Sequence, residues 1–209
     1  METSKHELIL NYCKNKKILN IGATDHPYHL IRGKRGLLMH QKICKVSKEC
    51  IGTDINKKAI KDLKKIGINN IYYDNILESS IDSSLNNSYD IIVFSDVIEH
   101  LSNPGKALIK IYSLCSSNTR VLLTSPNVWS IFTILNHFKK TEKVHKDHML
   151  WLSKKTCNNL IKNSGFEIEK FQFCFYGSNS SKIKSIFKKF ILDSKRPVLF
   201  YVLKRARKK

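Results

Sequence analysis

Short apolar runs that stop on a glycine or an acid, separated by stretches with helical spacing, limit what this chain can fold into. Residues 17–21 end at Gly22, 50–54 end on Asp54, 70–73 close on Asp74, and 89–94 close on Ser95 and Asp96. Runs this short, without strict polar alternation, suit strands buried on both faces, the pattern of a parallel sheet. Between the second and third runs, residues 56–66 begin with an asparagine suited to capping and put Ile55, Ala59, Ile60, Leu63 and Ile66 near one face before Gly67 ends the helix. Helices are also expected over 7–13, 37–46, 105–113 and 154–164, and strands over 120–124, 166–173 and 197–203. This order predicts an α/β fold: a Rossmann-like, doubly wound, mostly parallel sheet with helices on both faces. Ligands of such sheets bind at the C-terminal strand ends near the topological switch point, where the acids stand.

A chain of 209 residues with 42% hydrophobic and 26% charged residues suits a single globular domain over 1–209. No apolar stretch approaches the ~18 to 20 residues needed to span a bilayer, and the N-terminal stretch lacks the apolar segment of an export signal. A cytoplasmic protein is expected. The net charge of +20, from 37 basic and 17 acidic residues, favours an anionic partner such as RNA, a phospholipid surface or a phosphorylated substrate. Lysine dominates the excess, which equally fits an ordinary solvated surface. A basic amphipathic helix is expected at about 180–193, with Ile183, Ile186, Phe187, Phe190 and Ile191 on one stripe. Such a stripe packs on the sheet before the last strand or lies on an anionic membrane. The six cysteines show neither CxxC nor zinc-finger spacing, so reduced thiols are expected rather than a disulfide framework or a structural zinc site.

The first strand is followed by Gly22 alone, without the glycine-rich turn that brings backbone up to a pyrophosphate. Acids at successive strand ends suit a ligand with a ribose, an adenine and a zwitterionic amino acid, which is S-adenosyl-L-methionine. Asp54 would accept both ribose hydroxyls, Ile55 would cover an adenine face, and Asp74 would accept from the adenine amine, with Asn75 or Ile76 as alternatives there. Backbone near Gly22 and Ser95 would hold the amino acid.

The stretches KKILNIGA, CIGTDIN, NIYYDNI, YDIIVFSDVIEHLSNPGKAL, RVLLTSPN and HMLWLSKKTCNNLIKNSGFEI together resemble the class I S-adenosylmethionine-dependent methyltransferases, types 11 and 23. The resemblance covers most of the chain. It implies a seven-stranded sheet with an antiparallel final strand, and cofactor contacts at Gly22, Asp54, Asp74, Ser95 and Asp96. It further implies methyl transfer to an oxygen or nitrogen of a small molecule, a glycan or a lipid-pathway acceptor. The first motif departs from the family pattern, because Asn20, Ile21, Gly22, Ala23 and Thr24 offer one glycine and no acid. Asn20 can still hydrogen-bond. Two other functions stay open: an RNA methyltransferase, favoured by the charge, and a non-catalytic protein binding an adenosyl ligand or a polyanion, favoured by the eroded motif.

The segment DVIEH, residues 96–100, is expected to place Asp96, Glu99 and His100 on one helical turn. His100 would act there as a general base toward a hydroxyl, a role its near-neutral intrinsic pKa allows. Alternatively Asp96, Glu99, His100 and a later histidine, His145 or His148, would gather a divalent metal. That arrangement resembles ubiquinone-pathway O-methyltransferases and small-RNA 2′-O-methyltransferases. In a third reading Glu99 and His100 bond locally and shape the pocket. Pro126 and Asn127 are expected near donor and acceptor, Trp129, Phe132 and Phe138 as an apolar lid, and Trp151 beside the pocket or in the core. His26, His29 and Arg32 would form a solvated loop or clamp an anionic acceptor.

Overall fold

A computed structural model of the chain describes residues 4–78, 88–142, 144–177 and 192–206. The first half alternates as expected: α1 (Lys5–Cys13), β1 (Lys17–Ile21), α2 (His29–Lys34), α3 (Met39–Val46), β2 (Glu49–Asp54), α4 (Lys57–Lys64), β3 (Ile71–Tyr73) and β4 (Ile91–Ser95). It continues with α5 (Pro104–Leu114), β5 (Arg120–Pro126), α6 (Ile131–Phe138), α7 (Lys154–Asn163), β6 (Phe166–Cys174) and β7 (Val198–Arg205). The basic helix expected at about 180–193 lies outside the described residues, apart from its last two positions. Among the described residues no helix is long and apolar enough to cross a membrane.

The strands form one sheet in the order β3-β2-β1-β4-β5-β7-β6. β7 runs antiparallel to both of its neighbours and the remaining pairs are parallel. The period of two along each strand serves two cores. Leu19, Ile21, Ile92, Phe94 and Leu123 face α5 and α7, while Ile18, Ile91, Val93 and Leu122 face α1 and α3. Both faces are covered, which is why these runs read as continuously apolar. Asn56 caps α4 by accepting from the Ala59 N–H at 2.9 Å, and Asn103 caps α5, with Pro104 in its first turn.

The chain leaves β1 toward β2 and β3 on one side and later returns to β4 and β5 on the other. The crevice opened by this reversal sits at the C-terminal ends of β1 and β4.

Candidate active site

The loop after β1 is shaped by one glycine. Gly22 has φ +77°, and a Cβ there would lie 2.4 Å from Val97 Cγ2. Its N–H and that of Ala23 donate to the Thr53 carbonyl at 2.8 and 3.0 Å, tying this turn to the end of β2. Asp54 stands opposite. Its Oδ2 accepts from the Thr24 N–H at 3.0 Å and the Thr24 hydroxyl at 2.8 Å, and its Oδ1 accepts from the Asn56 N–H at 2.9 Å. The carboxylate is therefore held rigidly, with lone-pair capacity left on Oδ1. Ile55 beside it is exposed along the same cleft, which has a volume of about 680 Å³.

Asp74 and Asn20 line the cleft with their side chains already engaged by neighbours. Both Asp74 oxygens accept from Lys110 Nζ, at 2.9 and 3.2 Å, and the same ammonium donates to the Asn75 carbonyl at 3.0 Å. Both side chains of this ion pair are nearly buried, so the carboxylate is engaged by α5 while Asp74, Asn75 and Ile76 all line the cleft. Asn20 is buried at the floor of the cleft, where it and His40 are both lining residues, and its side-chain amide lies 3.3 Å from His40 Nδ1.

Asp96 departs from the expected helical turn. It has φ +53°, an unfavourable region for a residue with a Cβ, and only Ile98–His100 form a 3-10 turn. Thr124 holds the bend: its carbonyl and hydroxyl accept from the Asp96 N–H at 3.1 and 3.2 Å, and the hydroxyl donates to Asp96 Oδ1 at 2.8 Å. Ser95 Oγ lies 2.8 Å from that hydroxyl. The other Asp96 oxygen pairs with the buried Lys5. Burial alone would raise the Asp96 carboxyl, but the Lys5 ammonium outweighs it and holds the group below its ordinary value.

Glu99 lies behind this pair with 1% exposure, and neither of its carboxylate oxygens has a hydrogen-bond partner. Burial first, and the Asp96 charge second, push its carboxyl up to about 8. The Glu99 carbonyl accepts from the Met149 and Leu150 N–H groups at 2.8 and 3.2 Å, which draws residues 145–150 across the cleft. As a result His100, His145 and His148 meet. Their rings lie 4.6 to 5.7 Å apart between centroids, and one ligand atom from each falls within 4.8 Å of the others. His100 Nδ1 sits 3.1 Å from the Asp147 carbonyl; it must carry the proton to donate there, which leaves Nε2 as a lone pair. Burial, then the neighbouring His100, lower the pKa of His148, and its Nδ1 has no partner. Three imidazoles are donors suited to a transition metal, whereas the Asp96 and Glu99 carboxylates expected with them lie outside the converging set.

A family model described as a methyltransferase domain, type 23, matches residues 13–170. The chain belongs to the class I S-adenosylmethionine-dependent methyltransferases. The search of curated proteins found no match. Among solved structures, an S-adenosylmethionine-dependent methyltransferase from Archaeoglobus fulgidus is 21% identical, with TM-score 0.60, covering 96% of this chain and 95% of its own. Magnesium protoporphyrin IX methyltransferase from Synechocystis, with bound S-adenosylhomocysteine, is 11% identical with TM-score 0.59, covering 96% and 82%. The small RNA methyltransferase HEN1 is 16% identical with TM-score 0.67; it covers 98% of this chain, which spans only 25% of that protein. At these identities the likeness is one of fold.

In the methyltransferase Pro126, His26 and Arg32 line the cleft, Arg32 pairing with Asp25. Asn127 instead turns its amide to the Ser194 and Arg196 carbonyls at 3.0 and 2.8 Å, bracing the chain before β7. Trp151 is half-buried, and its indole N–H donates to Glu142 at 3.0 Å. His29, read as part of a solvated loop or an anion clamp, is buried against Asp62. Trp129, Phe132 and Phe138 are exposed, the last to 78%. Sequence reasoning missed Lys5 and Tyr176. Lys5 Nζ lies 5.1 Å from the Tyr176 ring centroid, and both line the cleft with the Asp96 carboxylate. No local pattern marks either residue, since α1 and the end of β6 are brought together by tertiary contacts such as the bond from the Lys5 N–H to the Phe175 carbonyl at 2.7 Å.

Proposed function

We propose that this methyltransferase moves the sulfonium methyl of S-adenosylmethionine to a hydroxyl oxygen of a small molecule, a glycan or a lipid-pathway intermediate. The observation that carries the reading is the convergence of His100, His145 and His148. An amine acceptor attacks with its own lone pair, whereas a hydroxyl gains from losing its proton as it attacks. Gly22 would let the backbone approach the ligand's amino acid. Asp54 would accept from the ribose, Ile55 and Asn75 would flank the adenine, and Ser95 and Asp96 would bound the amino-acid end. Asn20 and Asp74 would support the site from behind, through His40 and Lys110. When bound, S-adenosylmethionine supplies a methyl carbon on a positively charged sulfur, so a positioned nucleophile is enough. The fold supplies that positioning, an effect worth about 7 to 11 kcal/mol in favourable cases. His100, its Nδ1–H anchored on the Asp147 carbonyl, offers Nε2 to the acceptor proton. His148, kept neutral by burial, stands beside it.

The same cluster supports a metal-assisted form of the reaction, in which a bound divalent ion would lower the acceptor hydroxyl's pKa. His100, His145 and His148 would hold that ion. A ribose 2′-hydroxyl of RNA is the second acceptor class, favoured by the +20 charge and the histidine cluster. Turnover and cofactor affinity measured for His100→Ala and His148→Ala, with and without chelator, test the reading. Turnover is expected to fall at least about 100-fold while cofactor affinity changes little. Restoration of chelated wild-type activity by added divalent ion assigns the metal-assisted form. Full turnover in both variants would remove the cluster from the chemistry.

A further inference from the structure

A second cluster of ligand-type side chains lies away from the histidines, where α3 meets the start of β2. His40 and Cys44 are one helical turn apart on α3, and Cys50 is the second residue of β2. Cys44 Sγ lies 3.6 Å from His40 Nε2, and Cys50 Sγ lies 3.7 Å from His40 Nδ1. One ring nitrogen and the two sulfurs all fall within 4.8 Å of one another. With metal–sulfur and metal–nitrogen lengths of about 2.3 and 2.0 to 2.1 Å, a tetrahedral zinc ion places sulfur and nitrogen ligands about 3.5 Å apart. Each sulfur is near that spacing to one ring nitrogen, Cys44 to Nε2 and Cys50 to Nδ1, so an ion on one nitrogen would draw the other sulfur in.

The surroundings are arranged as for a ligand set. His40 is 1% exposed, and its ring packs over Gly52, where a Cβ would lie 2.8 Å from His40 Cε1; only glycine seats the ring there. The Asn20 side-chain amide meets His40 Nδ1 at 3.3 Å. With the amide turned to present its oxygen, it would hold the ring through Nδ1 and leave Nε2, the nitrogen beside Cys44, free for an ion, the usual support of a metal-binding histidine. Asn70 Nδ2 donates to Cys44 Sγ at 3.2 Å and to the Cys50 carbonyl at 3.0 Å, a bond that favours a thiolate. Both cysteines are half-buried, so an ion can reach them from the surface. The spacing H-x3-C-x5-C is absent from the common zinc patterns, and for that reason the sequence alone points to reduced thiols.

We propose that His40, Cys44 and Cys50 form a zinc site, with solvent as fourth ligand, that pins α3 to β2 beneath the first cofactor loop. Two thiolates and one imidazole select a borderline-soft ion such as Zn²⁺ over Mg²⁺ or Ca²⁺. Because Asn20 bonds His40 and precedes Gly22 by two residues, the ion would brace the turn that receives the cofactor. The proposal is independent of the acceptor and of any ion on the His100 cluster.

Cobalt titration of the reduced, full-length protein tests it. Co²⁺ bound through two thiolates gives an intense sulfur-to-metal charge-transfer absorption that imidazole-bound Co²⁺ lacks. The expected result is such absorption, saturating at one equivalent and bleached by Zn²⁺. It persists in His148→Ala and is lost in Cys44→Ser and in Cys50→Ser. Zn²⁺ is also expected to raise the melting temperature of His148→Ala, and this rise is lost when Cys44→Ser is added. A folded wild-type protein showing no charge-transfer absorption would overturn the proposal. So would absorption retained in both serine variants, or thiols 44 and 50 recovered as a disulfide two hydrogens lighter that forms in air whether or not Zn²⁺ is present. The wild-type spectrum decides the question even if a serine variant fails to fold.

Discussion

Glu99 carries a buried carboxyl with no hydrogen-bond partner and a pKa pushed up to about 8. In the metal-free folded protein it keeps a proton that the unfolded chain has already lost above the ordinary glutamate value. Its contribution to stability therefore declines as pH rises from that ordinary value to about 8 and is level beyond, an effect on the order of several kcal/mol. Glu99→Gln imitates the protonated form. In chelator, its melting temperature should match the wild type near pH 5 and exceed it by several degrees near pH 9, as thermal melts across pH will show. Equal curves at both pH values would mean that Glu99 is solvated or paired. Asp54 makes the complementary case, a carboxylate held rigid by three donors. Asp54→Ala should weaken S-adenosylmethionine binding at least about tenfold in calorimetry, since charge-assisted hydrogen bonds are worth about 1.5 to 3 kcal/mol each. Positions such as Asp54 and Ser95 were legible because strands that end on polar residues announce where the sheet opens. Lys5 and Tyr176 were not, because tertiary packing alone brings them to Asp96.

At the scale of elements, the buried pair of Lys110 and Asp74 clamps α5 to the end of β3. Lys110→Met would leave the Asp74 carboxylate buried and unpaired, a loss of about 3 to 5 kcal/mol. The melting temperature should then fall by roughly 10 °C at the usual 2 to 4 °C per kcal/mol for a chain this long, and the added change Asp74→Asn should recover much of it. A fall of less than about 2 °C would show that Asp74 reaches solvent. Asp74 stands at the end of β3 (Ile71–Tyr73) and lines the cleft as expected of its position, and its pairing with Lys110 is a tertiary contact that no local pattern marks. Long periodic helices such as α4, α5 and α7 could be read from apolar spacing. The short α2 carries no stripe, and Ile98–His100 is too short to show a period. Asp96 escapes a helical reading because its left-handed backbone is fixed by Thr124, which is 28 residues away.

Over the whole molecule, the alternation of runs and helices was enough for the sheet and its two covered faces, and the resemblance supplied the reversed last strand. The meeting of His145 and His148 with His100 depends on the Glu99 carbonyl binding residues 149 and 150, a long-range contact that spacing only hinted at. The account holds that this crevice, built by the switch between β1 and β4, methylates a hydroxyl of a small acceptor with help from that cluster. The most direct measurement offers isotopically labelled S-adenosylmethionine to cell extract fractionated into small-molecule, glycan, lipid, RNA and protein pools, and locates the label in the product. The account predicts an oxygen-bound methyl in the small-molecule, glycan or lipid pools, formed by the wild type and lost with His100→Ala. Label confined to RNA, to a nitrogen atom or to protein would contradict it, as would equal labelling by His100→Ala.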